Sequence, residues 1–116
     1  MYRDEILDLY KNPLNSGEIR EPDLQLKGEN NSCGDHITLY VKLEGEKISE
    51  IKHESQACAI CTASTSILTE EIKGLSKEEA KNLSSDWMID KLGIDISPMR
   101  MKCALLGLKT LQEGLE

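Results

Sequence analysis

At 116 residues and 39% hydrophobic content, the chain has room for one compact core and no second one, a size that buries roughly two thirds of the unfolded surface. Its 14 basic and 21 acidic residues leave a formal net charge of −7, which opposes attraction to a phosphate backbone and excludes nucleic acid as a partner. No apolar run approaches the ~18–20 residues that cross a bilayer, and Met1-Tyr2-Arg3-Asp4-Glu5 lacks the apolar stretch of a secretory signal, so a cytoplasmic protein with reduced thiols and no membrane partner is expected.

In chain order, Ile6, Leu7 and Tyr10 recur at helical spacing among charged residues and predict a short amphipathic helix that stops before Pro13. Turn formers from Asn12 to Asp23 predict a loop. Leu24 and Leu26, alternating with Gln25 and Lys27, predict a short first strand. After Asn31-Ser32-Cys33-Gly34-Asp35, the alternation of Ile37, Leu39, Val41 and Leu43 with His36, Thr38, Tyr40 and Lys42 gives a strand with one buried face. Glu44-Gly45-Glu46-Lys47 reads as a hairpin turn of about four or five residues. The returning strand, Ile48 to Ser55, breaks strict alternation at Ile48 and Ile51, which fits a bulge.

From Ala57 the period becomes helical. Cys58, Cys61, Ala63, Ser64, Ile67, Leu68 and Ile72 mark a helix ending near Gly74, with two cysteines in its first turn. Ser76-Lys77-Glu78-Glu79 is a capping box opening a helix through Leu83, and Trp87, Met88, Ile89 and Leu92 belong to another closed by Gly93. Ser97 and Pro98 fit the N-cap and first position of a last helix lined by Met101, Leu105, Leu108 and Leu111. Strands first and helices after predict an α+β fold: a three-stranded antiparallel sheet, a meander, with helices packed on one face, in a single domain over residues 1–116.

In a cytosolic setting four cysteines point to metal or catalysis rather than to disulfides. Cys58 and Cys61 stand three apart, so both can face one way on a helix. A C-x-x-C at a strand-to-helix junction is where thioredoxin-type enzymes place a redox pair, but the chain offers no βαβ unit for one. The plain alternative makes both cysteines small buried hydrophobes. Cys58 and Cys103 lie near helix starts, where unpaired N–H groups favour a thiolate, and Lys102 adds a cation beside Cys103. Alone, Asp35 and Gly34 read as turn residues; with the thiols of Cys33, Cys58 and Cys103 they suggest a site of three sulfurs and one carboxylate, although the spacings match no zinc ribbon. Such a set carries four negative charges, suits zinc or an iron–sulfur core, and, because permanent clusters generally use four cysteines, loads and unloads readily. His36 adjoins Asp35, within reach of such a site, but reads as an exposed strand residue; His53 reads as a sheet-surface residue, and Ser64, Thr65 and Ser66 have no base placed for them.

At these residues the chain resembles the U-type iron–sulfur cluster scaffold family, the IscU, SufU and NifU N-terminal group. The resemblance runs through Tyr2-Arg3-Asp4, Tyr10-Lys11-Asn12-Pro13, Asn31-Ser32-Cys33-Gly34-Asp35, Ala57-Cys58-Ala59-Ile60, Ala63-Ser64-Thr65-Ser66 and Lys102-Cys103-Ala104. It implies Cys33, Asp35, Cys58 and Cys103 as ligands of a transient [2Fe–2S] cluster, or of zinc in the apo form. It further implies a cysteine desulfurase as sulfur donor, iron–sulfur acceptor proteins as recipients, and no enzymatic turnover of its own. Thiolate attack on a donor persulfide needs an accessible, low-pKa cysteine; Cys103 beside Lys102 is the expected acceptor, with Cys33 the competitor. Ile96-Ser97-Pro98-Met99-Arg100 occupies the place of the Leu-Pro-Pro-Val-Lys motif read by an Hsp70-type chaperone and keeps only part of it. The alternative within the family is a SufU-like zinc-dependent sulfur acceptor, a sulfurtransferase: Lys102 favours it, and the short span between Cys58 and Cys103, lacking the SufU insertion, opposes it. A homodimer is left open.

Overall fold

The structure, a computed structural model, describes residues 3–116; Met1 and Tyr2, including the Tyr2 part of the resemblance, lie outside the described residues. Helix α1 (Arg3–Lys11) is followed by a loop and by strands β1 (Leu24–Asn30), β2 (Asp35–Glu44) and β3 (Lys47–Gln56). These pair antiparallel in the order β1-β2-β3, the expected meander. Helices α2 (Ala59–Glu71), α3 (Lys77–Lys81) and α4 (Ser85–Leu92) follow, and a 3-10 turn (Pro98–Arg100) leads into α5 (Met101–Gly114).

The first strand runs three residues further than its alternation predicted, because β1 pairs with β2 as far as Asn30 opposite Asp35. Asn31 to Gly34 is therefore a hairpin turn rather than an open loop, and Gly34, at φ 71°, takes the left-handed position that only glycine adopts without strain. The β2–β3 connection is tighter than expected: Glu44 pairs with Lys47, leaving Gly45 and Glu46 between the strands. The bulge is present, since the register shifts between Lys42 and Leu43. Ser49 is the extra residue, and it lets both Ile48 and Ile51 be fully buried.

Ile37, Leu39, Val41, Ile48 and Ile51 form the inner face of the sheet, covered by α2 and α5. Helix α2 is rich in Ser and Thr, weak helix formers, yet Cys61 through Thr69 are all buried, so packing on every side holds it. Its hydroxyls turn inward to its own backbone: Ser64 Oγ and Thr65 Oγ1 donate to the Cys61 carbonyl (3.0 and 2.8 Å), and Thr69 Oγ1 to Ser66 (2.9 Å).

The buried stripe of α5 is Cys103, Ala104, Gly107, Leu108 and Leu111; Met101 and Leu105, expected within it, lie at its edge. Small residues on that stripe let neighbours approach closely. A Cβ on Gly28 of β1 would stand 2.0 Å from Thr110 Oγ1, so the absence of a side chain there is what brings β1 against α5. In α1, Ile6 is buried while Leu7 and Tyr10 stay exposed, since α1 meets the rest of the fold mainly along α2. Helix α3 keeps its capping box but ends at Lys81, before Leu83.

Candidate metal centre

Three chain segments converge at one end of the sheet. The hairpin turn carries Cys33 and leads into Asp35, the first residue of β2; β3 ends at Gln56 beside His36 and hands the chain to Cys58; α5 delivers Cys103 in its first turn. Cys58 is the N-cap of α2, with extended backbone, and its Sγ accepts from the N–H of Cys61 at 3.4 Å.

Asp35 is fully buried. Its Oδ1 accepts from the N–H of Cys58 at 2.9 Å, and its Oδ2 lies 4.0 Å from Cys58 Sγ. Cys103 Sγ stands 3.4 Å from Cys33 Sγ, and one ligand atom each from Cys33, Asp35 and Cys103 falls within 4.8 Å of the others. Sulfurs ~2.3 Å from a tetrahedral metal are about 3.7 Å apart, so this spacing suits a single centre. Cys58 joins the set through Asp35. The four residues singled out from the sequence are thus brought to one place, and the donor set, sulfur-rich with one hard oxygen, fits zinc or an iron–sulfur core.

Accessibility differs from expectation. Cys33 is exposed and Cys58 half-buried, but Cys103 is fully buried, and burial, then its contacts with Cys33, Asp35 and Cys58, push its thiol pKa up. The expectation of Cys103 as the accessible, low-pKa thiol is therefore corrected: helix position and a neighbouring lysine do not compensate for removal from water. Lys102 is exposed on the rim of a cleft of about 390 Å³, beside Glu29, Asn30 and Lys109. Arg100 is the cation that senses the thiols, its pKa raised by its interaction with Cys103 and by the charges of Cys58, Cys103 and Cys33.

Cys61 is buried, its thiol pushed up to about 12 by burial and then by the nearby negative groups, Asp35 first. Sequence reasoning missed Asn30. It is buried, its Nδ2 approaches Cys103 Sγ at 3.8 Å, and its carbonyl accepts from Cys33 N at 3.2 Å. The signal was the alternation Leu24, Leu26, Gly28, Asn30, which places Asn30 on the inner face once β1 is extended to the turn.

His36 is exposed, as expected, with Nδ1 3.4 Å from Glu29 Oε2. His53 is not on the sheet surface but 1% exposed. Its Nε2 meets the Leu14 carbonyl (2.9 Å), with Ser66 Oγ at 3.4 Å, and its Nδ1 meets Ser55 Oγ (2.8 Å). No carboxylate completes a Ser/His/Asp arrangement among these contacts. Met99, within the degenerate chaperone motif, is 85% exposed on the 3-10 turn.

The profile of the NifU-like N terminal domain family matches residues 1–116. The chain is 36% identical over 132 residues to the zinc-dependent sulfurtransferase SufU of Bacillus subtilis, covering 99% of this chain and 89% of that one. It is 35% identical over 132 residues to the iron-sulfur cluster assembly scaffold protein IscU of Thermotoga maritima, covering 100% and 93%. The crystal structure of FiSufU from Fervidobacterium islandicum AW-1 superposes with a TM-score of 0.85 at 34% identity, covering 99% of this chain and 96% of that one. Both curated relatives align over more residues than the 116 present here, so both carry segments this chain lacks, and extra length does not separate the relative named SufU from the one named IscU.

Proposed function

The chain belongs to the NifU-like N-terminal domain family, and from that premise we propose that it is a scaffold on which a transient [2Fe–2S] cluster is assembled and then passed to acceptor proteins. Residues 1–116 form one U-type scaffold domain, working in the cytoplasm and free of enzymatic turnover. The observation that supports this is the approach of ligand atoms of Cys33, Asp35 and Cys103 to within 4.8 Å of one another, with Cys58 Sγ 4.0 Å from Asp35 Oδ2.

A cysteine desulfurase presents sulfur as a persulfide. The exposed Cys33 thiolate attacks the outer sulfur, the donor cysteine leaves as a thiolate, and Cys103, 3.4 Å behind, is placed to take the sulfur onward. Iron is the second substrate, and the finished cluster is cargo rather than a resident group. Asp35 makes the hold reversible: a carboxylate binds soft metals less firmly than a thiolate, and its other oxygen stays tied to the start of α2 through Cys58 N. Zinc fits the same donors in the apo form and would hold the four side chains in one geometry. Arg100, whose pKa these thiols raise, is the cation that would offset part of their charge.

A second reading, the zinc-dependent sulfur acceptor, is favoured by the 3.4 Å approach of the Cys33 and Cys103 sulfurs, close enough to share one metal ion, and by the relative named SufU. Anaerobic reconstitution with a cysteine desulfurase, cysteine and ferrous iron separates the two. A visible [2Fe–2S] chromophore is expected for the scaffold. Tight zinc retention, faster desulfurase turnover and no chromophore would replace that reading with the sulfurtransferase.

A further inference from the structure

Cys61 is the thiol that the proposed ligand set leaves unused, and it lies directly behind one of the ligands. Cys58 caps α2 and Cys61 is the third residue of that helix, its N–H already donating to Cys58 Sγ at 3.4 Å. Helical geometry puts the Cα atoms of residues three apart about 5 Å from one another, inside the about 4.4–6.8 Å that a disulfide spans, so side-chain rotation can bring the two sulfurs into bonding reach. Cys58 is half-buried and reachable from solvent, whereas Cys61 is fully buried, so external reagents reach Cys61 through Cys58. An outer thiol at a helix N-cap with a buried thiol one turn inside is the arrangement that makes a C-x-x-C pair redox-active.

We propose that Cys58 and Cys61 act as a built-in dithiol that reduces persulfide sulfur to sulfide at the assembly site. This rests on the sulfur-receiving role proposed above and adds to it the source of electrons. A cluster contains sulfide, whereas a persulfide delivers sulfur in a more oxidised state, so a two-electron donor is required. The Cys58 thiolate takes the outer sulfur from a persulfide and becomes a persulfide itself. Cys61 then attacks Cys58 Sγ: the bond from Cys58 Sγ to the outer sulfur breaks with its electron pair leaving on that sulfur, and the Cys58–Cys61 disulfide forms. The proton of Cys61 goes to the departing sulfur, which is released as hydrogen sulfide. The two thiols have lost two electrons, and a dithiol reductant restores them, returning Cys58 to the ligand set. Sulfur that arrives through Cys33 and Cys103 leaves both as thiols once Cys58 has taken it, and Asp35 is unchanged throughout.

The test uses the whole chain, reduced, metal-free and freed of reductant under anaerobic conditions, with glutathione persulfide as probe. Sulfide is assayed colorimetrically and the thiols are trapped by alkylation and mapped by peptide mass. The wild type is expected to release about one sulfide per chain and to show a Cys58–Cys61 disulfide, while Cys61→Ala and Cys61→Ser retain the added sulfur on Cys58 and release about ten-fold less. Persulfide kept on Cys58 of the wild type, a disulfide mapping to Cys33 and Cys103, equal release from the Cys61 variants, or no uptake by Cys58 would each overturn the proposal. Reconstitution in excess dithiothreitol keeps the two readings apart, because external thiol then supplies the electrons. A chromophore in both wild type and Cys61→Ala, with no Cys58–Cys61 disulfide in the probe assay, removes the dithiol and leaves the scaffold. No chromophore in either removes the scaffold.

Discussion

Asp35 and His53 are both buried, both titratable and both on strands of the same sheet, yet their surroundings differ in kind. His53 is enclosed by neutral partners, the Leu14 carbonyl and the hydroxyls of Ser55 and Ser66. Its backbone also clamps the preceding loop, donating to Asn15 O and accepting from Gly17 N. Asn15 in turn reaches Thr69 and accepts from Lys73, tying the loop to α2. Asp35 instead sits among the thiols of Cys33, Cys58 and Cys103, with the Cys58 backbone N–H as its one short hydrogen bond among the described residues. A polar cluster whose members satisfy each other is part of the fold. One that gathers thiols around a carboxylate offers a donor set suited to a soft cation, and that is the contrast between the two clusters.

The largest effect is expected from breaking the charged cluster at its exposed corner. Cys33→Ser removes a ligand without disturbing any packing, and zinc affinity should fall by more than about a hundred-fold, beyond what loss of a supporting contact costs. Competition against a chromophoric chelator measures it. Apo-protein thermal stability should stay put. A variant that binds zinc as tightly as the wild type would remove Cys33 from the set and leave the contrast without its functional half.

The neutral cluster should respond the other way. His53→Ala leaves Ser55, Ser66 and the Leu14 carbonyl to repair their hydrogen bonds, at a cost of about 2 kcal/mol of apo stability, with zinc affinity held within a few-fold. The pH dependence has a definite sign. Burial lowers the His53 pKa below its ordinary 6.5, so the unfolded chain binds the proton more readily than the folded one. The stabilisation is complete above the unfolded pKa of about 6.5 and is lost as pH falls toward and through the folded value, with a slope of at most about 1.4 kcal/mol per pH unit. Urea melts of the wild type between neutral and mildly acidic pH, set against His53→Ala, check this. An identical slope in the two would assign the acid sensitivity to other groups.

The sheet order and a bulge in the returning strand were legible in the sequence because each rests on a local pattern of alternation, whereas the grouping of Cys33, Asp35, Cys58 and Cys103 came from the family resemblance and not from any one local pattern. What escaped depended on the third dimension. Cys103 is early in α5 and next to Lys102, two features that promise a reactive thiol, and neither reveals that β1 closes over it. That closure follows from Gly28 admitting Thr110 and from Asn30 pairing with Asp35. His53 was hidden for the same reason, since the segment that buries it, Leu14 to Gly17, has no periodicity of its own and becomes ordered by bonding to the edge of β3. Arg100 sits in a stretch read for its likeness to a chaperone motif, and nothing local to that stretch signals that Cys103, Cys58 and Cys33 raise its pKa.

The smallest effect sharpens the comparison most. His36 is next to Asp35 in the sequence and is a common metal ligand type, so proximity along the chain would place it in the site. Strand alternation sends it to the other face: Asp35 is fully buried on the inner side, while His36 lies in solvent opposite Glu29, both more than half exposed. An exposed pair of this kind is screened and contributes little. His36→Ala should therefore change zinc affinity by no more than about two-fold and leave the apo melting curve where it was, the behaviour of an ordinary surface position. Chelator competition on this variant, run beside Cys33→Ser, decides between neighbours in sequence and neighbours in space. If affinity instead drops as it does for Cys33→Ser, then His36 reaches the metal in the bound state. The strand would have to twist at Asp35, and the face assignment that separates the two clusters would fail at its first residue.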